Sequence, residues 1–199
     1  PDFATSPEQQ QHLLRRIRES SRFMLTLIND LLDISIIEAG QLKIELAPLD
    51  LGALVHENLE FHRLLARDKR ITVHDSIEPG IPRVLGDSAK MEQILNNLVG
   101  NAIKFSPSDT RIDVQVASSG AGVSVVVQDE GPGIPSHELA GIFTPFQRAS
   151  TRATAKEHST GLGLAIVKRL MEAHDGTLSC ESEVGRGTTF TAWFPAAPA

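Results

Sequence analysis

This chain of 199 residues contains no tyrosine, one tryptophan and one cysteine, and aromatic residues make up only 5% of it. The single Cys180 excludes an internal disulfide, which suits a reducing compartment and leaves a buried, inert thiol as its expected role. The chain has no basic patch interleaved with aromatics, and its formal net charge is -6. Nucleic acid is therefore not an expected partner. No apolar run approaches the ~20 residues of a membrane span, and a secretory signal is not expected. The expected location is the cytoplasm, either free or as the cytoplasmic part of a membrane-bound sensor anchored through segments outside this chain. Neither an internal repeat nor a low-complexity segment is found.

What is present is globular in composition, with 41% hydrophobic and 22% charged residues, enough for one core plus an appended helix. The most informative stretch is Asp129-Glu130-Gly131-Pro132-Gly133-Ile134-Pro135, which follows the strand-like run Val123-Ser124-Val125-Val126-Val127. A carboxylate fixed at a strand end can accept a hydrogen bond from an exocyclic amine, and glycines let a ligand approach the backbone. Taken alone, a hairpin turn explains it equally well.

Upstream, apolar residues at 91, 94, 95, 98, 99, 102 and 103 predict a helix with one buried face. Asn97, Asn101 and Lys104 follow each other at spacings of four and three, so they share one polar stripe beside that face. An amide oxygen is a hard ligand suited to Mg²⁺, and a lysine one turn on can neutralise phosphate oxygens. A merely solvated face is the competing explanation. Downstream, Ser159-Thr160-Gly161-Leu162-Gly163-Leu164-Ala165 runs from a polar loop into an apolar helix, whose first backbone N–H groups can hold phosphates. The P-loop lysine signature and the glycine spacing of a dinucleotide fold are both absent. Finally Gly185-Arg186-Gly187-Thr188-Thr189-Phe190 opens a terminal strand.

In this order the four segments resemble the nucleotide-binding boxes of the histidine-kinase catalytic domain, in the superfamily that includes topoisomerase, mismatch-repair and heat-shock chaperone ATPases. The resemblance covers roughly residues 50 to 195, and Ile142-Phe143-Thr144-Pro145-Phe146-Gln147-Arg148 looks like the phenylalanine box that opens the family's mobile ATP lid. It implies that Asp129 contacts the adenine amine, that Asn101 ligates Mg²⁺ and that Lys104 and Arg148 meet the phosphates of ATP. Asn97 matches the first asparagine of the helix motif and Phe105 closes that motif. Gly131, Gly133 and Ile134 match the adenine-side loop, and Thr188 the threonine near the adenine. Thr160, Gly161, Leu162, Gly163 and Leu164 match the lid hinge and phosphate turn, with Ser159 standing where the family often has a glycine. Hydrolysing relatives carry a water-activating glutamate at position 97. Asparagine is no general base at neutral pH, so transfer to a protein side chain is expected over hydrolysis.

The N-terminal fifty residues carry an independent signal. Ser6-Pro7-Glu8-Gln9 reads as a helix start. Leu13, Ile17, Ser20, Met24, Leu27, Leu31 and Ile34 form a heptad seam, widened by Leu14, Ile28 and Leu32, that ends at Gly40. Such a stripe calls for a partner helix, and self-association through it is expected. Leu27 to Ser35 with Glu38-Ala39-Gly40 also looks like the second helix of a histidine kinase's dimerisation domain. In that family the acceptor histidine sits on the first helix, before an acidic, an aliphatic and a basic residue. None of the seven histidines matches. His12 and His62 are expected on solvated helix faces, and His56, His74, His137, His158 and His174 have no acceptor context. The chain is thus expected to begin after the first helix, as a fragment or as a natural form without its own acceptor.

The punctuation predicts residues 1–49 as a partial dimerisation region ending in an extended connector, 50–195 as the ATP-binding domain and 196–199 as a frayed tail. Helices are expected to about Lys69 from an Asp50 cap, at 88–105 and at 162–174, with strands at 71–77, 111–117, 123–128, 177–181 and 188–194. Residues 147–160 are expected to form a loop over the nucleotide. The fold class is α/β: a two-layer sandwich, a mixed sheet covered by helices on one face, behind a long dimerisation helix. The expected function is the ATP-binding catalytic region of a two-component sensor histidine kinase, using ATP and Mg²⁺ and signalling to the receiver domain of a response regulator. A regulatory pseudokinase acting through helix association and a slow ATPase are the alternatives.

Overall fold

Ser6 starts the first helix, α1, which runs over Pro7–Glu38; the computed structural model of the chain describes residues 6–147, 149–150 and 159–198. The Ser6 hydroxyl accepts from the Gln9 backbone N–H while the Gln9 side chain accepts from the Ser6 N–H, so two orphaned donors are satisfied reciprocally. At the other end Gly40 takes φ +65°. The N–H groups of Gly40 and Gln41 then turn back to the carbonyls of Ile37 and Ile36, a closure that a left-handed glycine makes possible. Along the predicted seam Leu13, Ile17 and Met24 are 56%, 54% and 57% exposed. Leu27 is half-buried and Ile34 is buried, so the seam is bare mainly in its first five turns.

The chain divides into two compact units, Pro1–Gln41 and Leu42–Ala199. In the second, β1 (Ala47–Leu49) pairs antiparallel with β3 (Val84–Gly86), two strands too short to leave a sequence signal. Asp50 caps α2 (Leu51–Arg67) through the Ala53 N–H at 3.0 Å, and Asp87 caps α3 (Ser88–Phe105) through the Lys90 N–H at 3.2 Å. Between them lies β2 (Thr72–Ile77); β4 (Arg111–Ser119), β5 (Gly122–Asp129), the short α4 (Ser136–Leu139), α5 (Gly163–Ala173), β6 (Thr177–Glu183) and β7 (Gly187–Pro195) complete the unit.

Five strands form one sheet in the order β2-β4-β5-β7-β6, parallel only between β2 and β4. Alternation decides which side is covered. Ile112, Val114, Val116, Val123, Val125, Val127, Phe190, Ala192 and Phe194 are buried, whereas Gln115 and Gln128 are exposed and Thr189 and Thr191 half-buried on the opposite face. Against the buried side lie the apolar faces of α2, α3 and α5. Burial of each large aliphatic there is worth roughly 1.5–3 kcal/mol. The predicted mixed α/β fold with helices on one face is what the chain adopts.

Two histidines help set the layers. His174, 2% exposed, donates from Nδ1 to the Leu170 carbonyl at 2.7 Å and accepts the Asp87 N–H at Nε2, 3.1 Å away. The end of α5 is thereby tied to the start of α3. His62 corrects the expectation of a solvated face: it is 3% exposed, with Nδ1 2.9 Å from the Asn58 carbonyl. Residues 55, 59, 62 and 66 share one face of α2, so His62 continues the row of Val55, Leu59 and Ala66, and its neighbour Phe61 points to water instead. Desolvation lowers its pKa, only partly offset by the Asn58 carbonyl.

Candidate functional site

Asp129 ends β5 and is 6% exposed. Its Oδ1 accepts from the Gly131 N–H at 2.8 Å and the Thr188 N–H at 3.2 Å. Among the described residues no protein group hydrogen-bonds Oδ2. Burial pushes the Asp129 carboxyl up to about 6, and the two backbone donors pull the other way. A ligand amine donating to Oδ2 would supply the hydrogen bond that the ionised carboxylate lacks. Gly133 takes φ +71°, and a Cβ there would run into the Glu183 carbonyl, so the loop lies flush against the end of β6.

The residue that organises this corner escaped the sequence reading. Ser182 Oγ donates to the Gly187 carbonyl at 2.7 Å, accepts from the Ile134 N–H at 2.8 Å and lies 2.9 Å from Thr188 Oγ1. Its one proton is committed to Gly187, so Thr188 is the donor in the shared hydroxyl pair. Thr188 Oγ1 then faces any ligand as an acceptor. No local motif announced Ser182; the available signal was alternation, which places it two residues beyond Cys180 on the helix-facing side of β6.

On α3, Asn97, Asn101, Lys104 and Phe105 are all half-buried, at the border of the helix's apolar face. Asn97 Nδ2 donates to the Gln93 carbonyl at 2.9 Å, which leaves Oδ1 turned toward the start of α5. A Cβ on Gly163 would collide with that Oδ1, so α5 begins directly against Asn97. No side chain caps α5; the Leu162 N–H turns to Thr160 Oγ1 at 3.2 Å, and Leu164 follows within the first turn. Lys104 Nζ lies 5.8 Å from the centre of the Phe105 ring. The Phe105 carbonyl abuts Gly131, where a Cβ would come within 3.4 Å of it. The Asp129 corner, the end of α3 and the start of α5 are therefore parts of one contiguous site. Arg148 lies outside the described residues.

Two hydrogen bonds fix the described residues on either side of 151–158. The Phe146 N–H donates to the Gly161 carbonyl at 2.9 Å, and the Ser150 N–H donates to Glu138 Oε2 at 2.8 Å. Hydrogen bonds from Ser150 hold the Glu138 carboxyl below its ordinary range. Cys180, half-buried, has its thiol pushed up to about 12 by burial and then by Asp129 and Glu181, in keeping with an inert role.

The donor set bears on Mg²⁺. Among the described residues no group of three or more His, Cys, Asp or Glu side chains could hold a metal. A single amide oxygen on α3, at Asn101, fits an ion that keeps several waters and takes its remaining ligands from phosphates. None of the described helices is long and apolar enough to cross a membrane.

Comparison with known proteins identifies the family and the fold. The family model described as histidine kinase-, DNA gyrase B-, and HSP90-like ATPase matches residues 86–198. Circadian input-output histidine kinase CikA of Synechococcus elongatus is 35% identical over 195 residues, covering 97% of this chain and 26% of that protein. Hybrid signal transduction histidine kinase L of Dictyostelium discoideum is 38% identical over 191 residues, 92% of this chain and 11% of that one. The solved structure of full-length ShkA in complex with AMPPNP superposes with a TM-score of 0.80 at 31% identity, over 98% of this chain and 40% of ShkA. The chain thus spans about a quarter or less of these two curated relatives.

Proposed function

Because the chain belongs to the histidine kinase-, DNA gyrase B- and HSP90-like ATPase family, we propose that it is the ATP-binding catalytic region of a two-component sensor histidine kinase, passing the γ-phosphoryl group to a histidine outside this chain. The observation that carries this reading is Asn97. The site joins a buried carboxylate for adenine to an uncapped helix start for phosphates, yet at position 97 it offers an amide whose nitrogen is spent on the Gln93 carbonyl. An amide does not take a proton from water at neutral pH, so the slow-ATPase alternative is disfavoured.

Each residue has a role in this scheme. Asp129 accepts from the adenine amine, with Thr188 as a second acceptor beside it. Gly131, Gly133 and Ile134 form the floor. The first N–H groups of α5, at Gly163 and Leu164, face the phosphates, and Lys104 and Arg148 add positive charge. Asn101 holds Mg²⁺, which when bound neutralises phosphate charge and fixes the chain's orientation. In the transfer a neutral histidine nitrogen attacks the γ-phosphorus while the bond to the bridging oxygen breaks, leaving ADP; positioning and charge stabilisation are the main demands on the protein. Residues 1–49 act as a partial dimerisation region, 50–195 as the catalytic domain, and a response-regulator receiver domain consumes the phosphohistidine.

The test uses γ-labelled ATP. Calorimetry should show this chain binding ATP, with acid-labile label appearing only on an added acceptor-helix fragment. Labelled inorganic phosphate released without acceptor, at a rate matching transfer, would replace this reading by an ATPase.

A further inference from the structure

A helix that carries a ligand site needs its end held still, and the last carbonyls of α3 lack intrahelical partners. The Ser106 N–H takes the Ala102 carbonyl at 3.0 Å. The next two carbonyls are reached by a residue far away in sequence: Lys69 Nζ donates to Ile103 O at 2.6 Å and to Lys104 O at 2.9 Å. A cation there also opposes the negative end of the helix dipole.

The turn bearing Lys69 is itself clamped. Arg70 and Asp109 form a two-pronged ion pair, 2.7 Å at each contact, joining the turn after α2 to the turn after α3. Both residues sit at positive φ, +55° and +66°, a conformation strained for a non-glycine residue that persists where surroundings enforce it. Beside them the Thr72 N–H donates to the Thr110 carbonyl at 3.0 Å. Lys69 is thus delivered from a fixed base onto the two residues whose backbones carry the Lys104 ammonium and lead into Phe105, against Gly131.

We propose that Lys69 is a positioning residue of the nucleotide site: by holding the Ile103 and Lys104 carbonyls it sets the end of α3 from which Lys104 meets the phosphates. This rests on the nucleotide reading above. Lys69 acts through Lys104, so its loss weakens the phosphate end and spares the adenine end built on Asp129.

The experiment compares ATP and adenosine on the full chain by calorimetry, with melting recorded without ligand. Lys69→Met keeps the aliphatic stem and removes the charge; it should raise the ATP Kd about tenfold, as expected for losing charge-assisted hydrogen bonds, with the adenosine Kd unchanged within about twofold. Lys69→Arg, restoring a cation at the helix end, should recover ATP affinity to within about threefold of wild type. If the Met variant does not fold, Lys69→Gln carries the same comparison. Equal weakening of ATP and adenosine, or no weakening of either, would overturn the positioning role. Failure of the unmodified chain to bind ATP would instead bring down the nucleotide reading beneath it.

Discussion

Helices α1 and α3 are both written with apolar residues at helical spacing, and they end in opposite states. On α3, Met91, Ile94, Leu95, Leu98, Val99, Ala102 and Ile103 are all buried against the sheet and neighbouring helices. On α1, Leu13, Leu14, Ile17, Met24, Leu25, Ile28 and Leu32 remain more than half exposed. Periodicity therefore reports that a helix has an apolar face, and says nothing of whether the mate lies in the same chain. The polar residues at the border divide the two further: on α3, Asn97 is held by the Gln93 carbonyl and lies against the start of α5. An unsatisfied apolar stripe is an interaction in waiting; a satisfied one frees the adjoining polar stripe for chemistry.

That contrast predicts that nucleotide affinity depends on the border of α3 and its partners and not at all on the stripe of α1. The sharpest break is Asp129→Asn. The asparagine Oδ1 can still accept from Gly131 and Thr188, while its amine confronts the adenine amine with a donor, so ATP affinity should fall about a hundredfold. Without ligand at pH 7.5 the variant should melt no lower than wild type, because a desolvated charge has been removed. Wild-type affinity by calorimetry would move the adenine elsewhere.

Asn101→Ala should next abolish the Mg²⁺ dependence of ATP binding, a loss of about tenfold in saturating metal, while metal-free affinity stays put. An unaltered Mg²⁺ titration would show that another group ligates the ion.

Acidification should produce a comparable loss. The Asp129 carboxyl in the folded protein is raised to about 6 from an ordinary 3.8. Its stabilising contribution is present below the ordinary value and is lost as pH rises through 6, so the unliganded protein gains stability from this group between pH 7 and 4. Binding runs the other way, since the amine needs the ionised form: from pH 7 to 5 the ATP affinity should fall about tenfold. Calorimetry and melting across that range should show opposite slopes, which Asp129→Asn should erase.

The smallest effect on nucleotide is expected from Ile17→Glu with Met24→Glu. The double variant should sediment as a monomer where the unmodified chain should self-associate, with ATP affinity the same in both. A wild-type chain already monomeric at tens of micromolar would mean that the α1 stripe has no mate in a second copy.

Long elements and two of their caps were readable because each rests on local chemistry: Asp50 and Ser6 cap as residue type demands, and α3 falls at its predicted limits. The α3 polar stripe is legible from spacing, Asp129 from a carboxylate at a strand end beside glycines, and the Thr-Gly-Leu-Gly turn from the family resemblance; the fold gathers them around one site. What escaped depends on contacts across the chain. Ser182 is an ordinary strand serine until Ile134 and Thr188 arrive beside it. Lys69 looks like a solvated lysine until α3 ends over it. His62 was misjudged because its neighbours in sequence mix exposed and buried positions, and only the phase of α2 decides between them.

The bond from the Phe146 N–H to the Gly161 carbonyl has a consequence for how this domain can vary. It closes a ring of chain, so the ends of the intervening segment stay together whatever that segment contains. The entropy cost of closing a flexible loop grows only with the logarithm of its length, about 0.6 kcal/mol for each doubling. Insertions between Phe146 and Gly161 should therefore scarcely disturb the melting temperature, so this stretch can change in length and sequence while the strands and helices on either side keep their register.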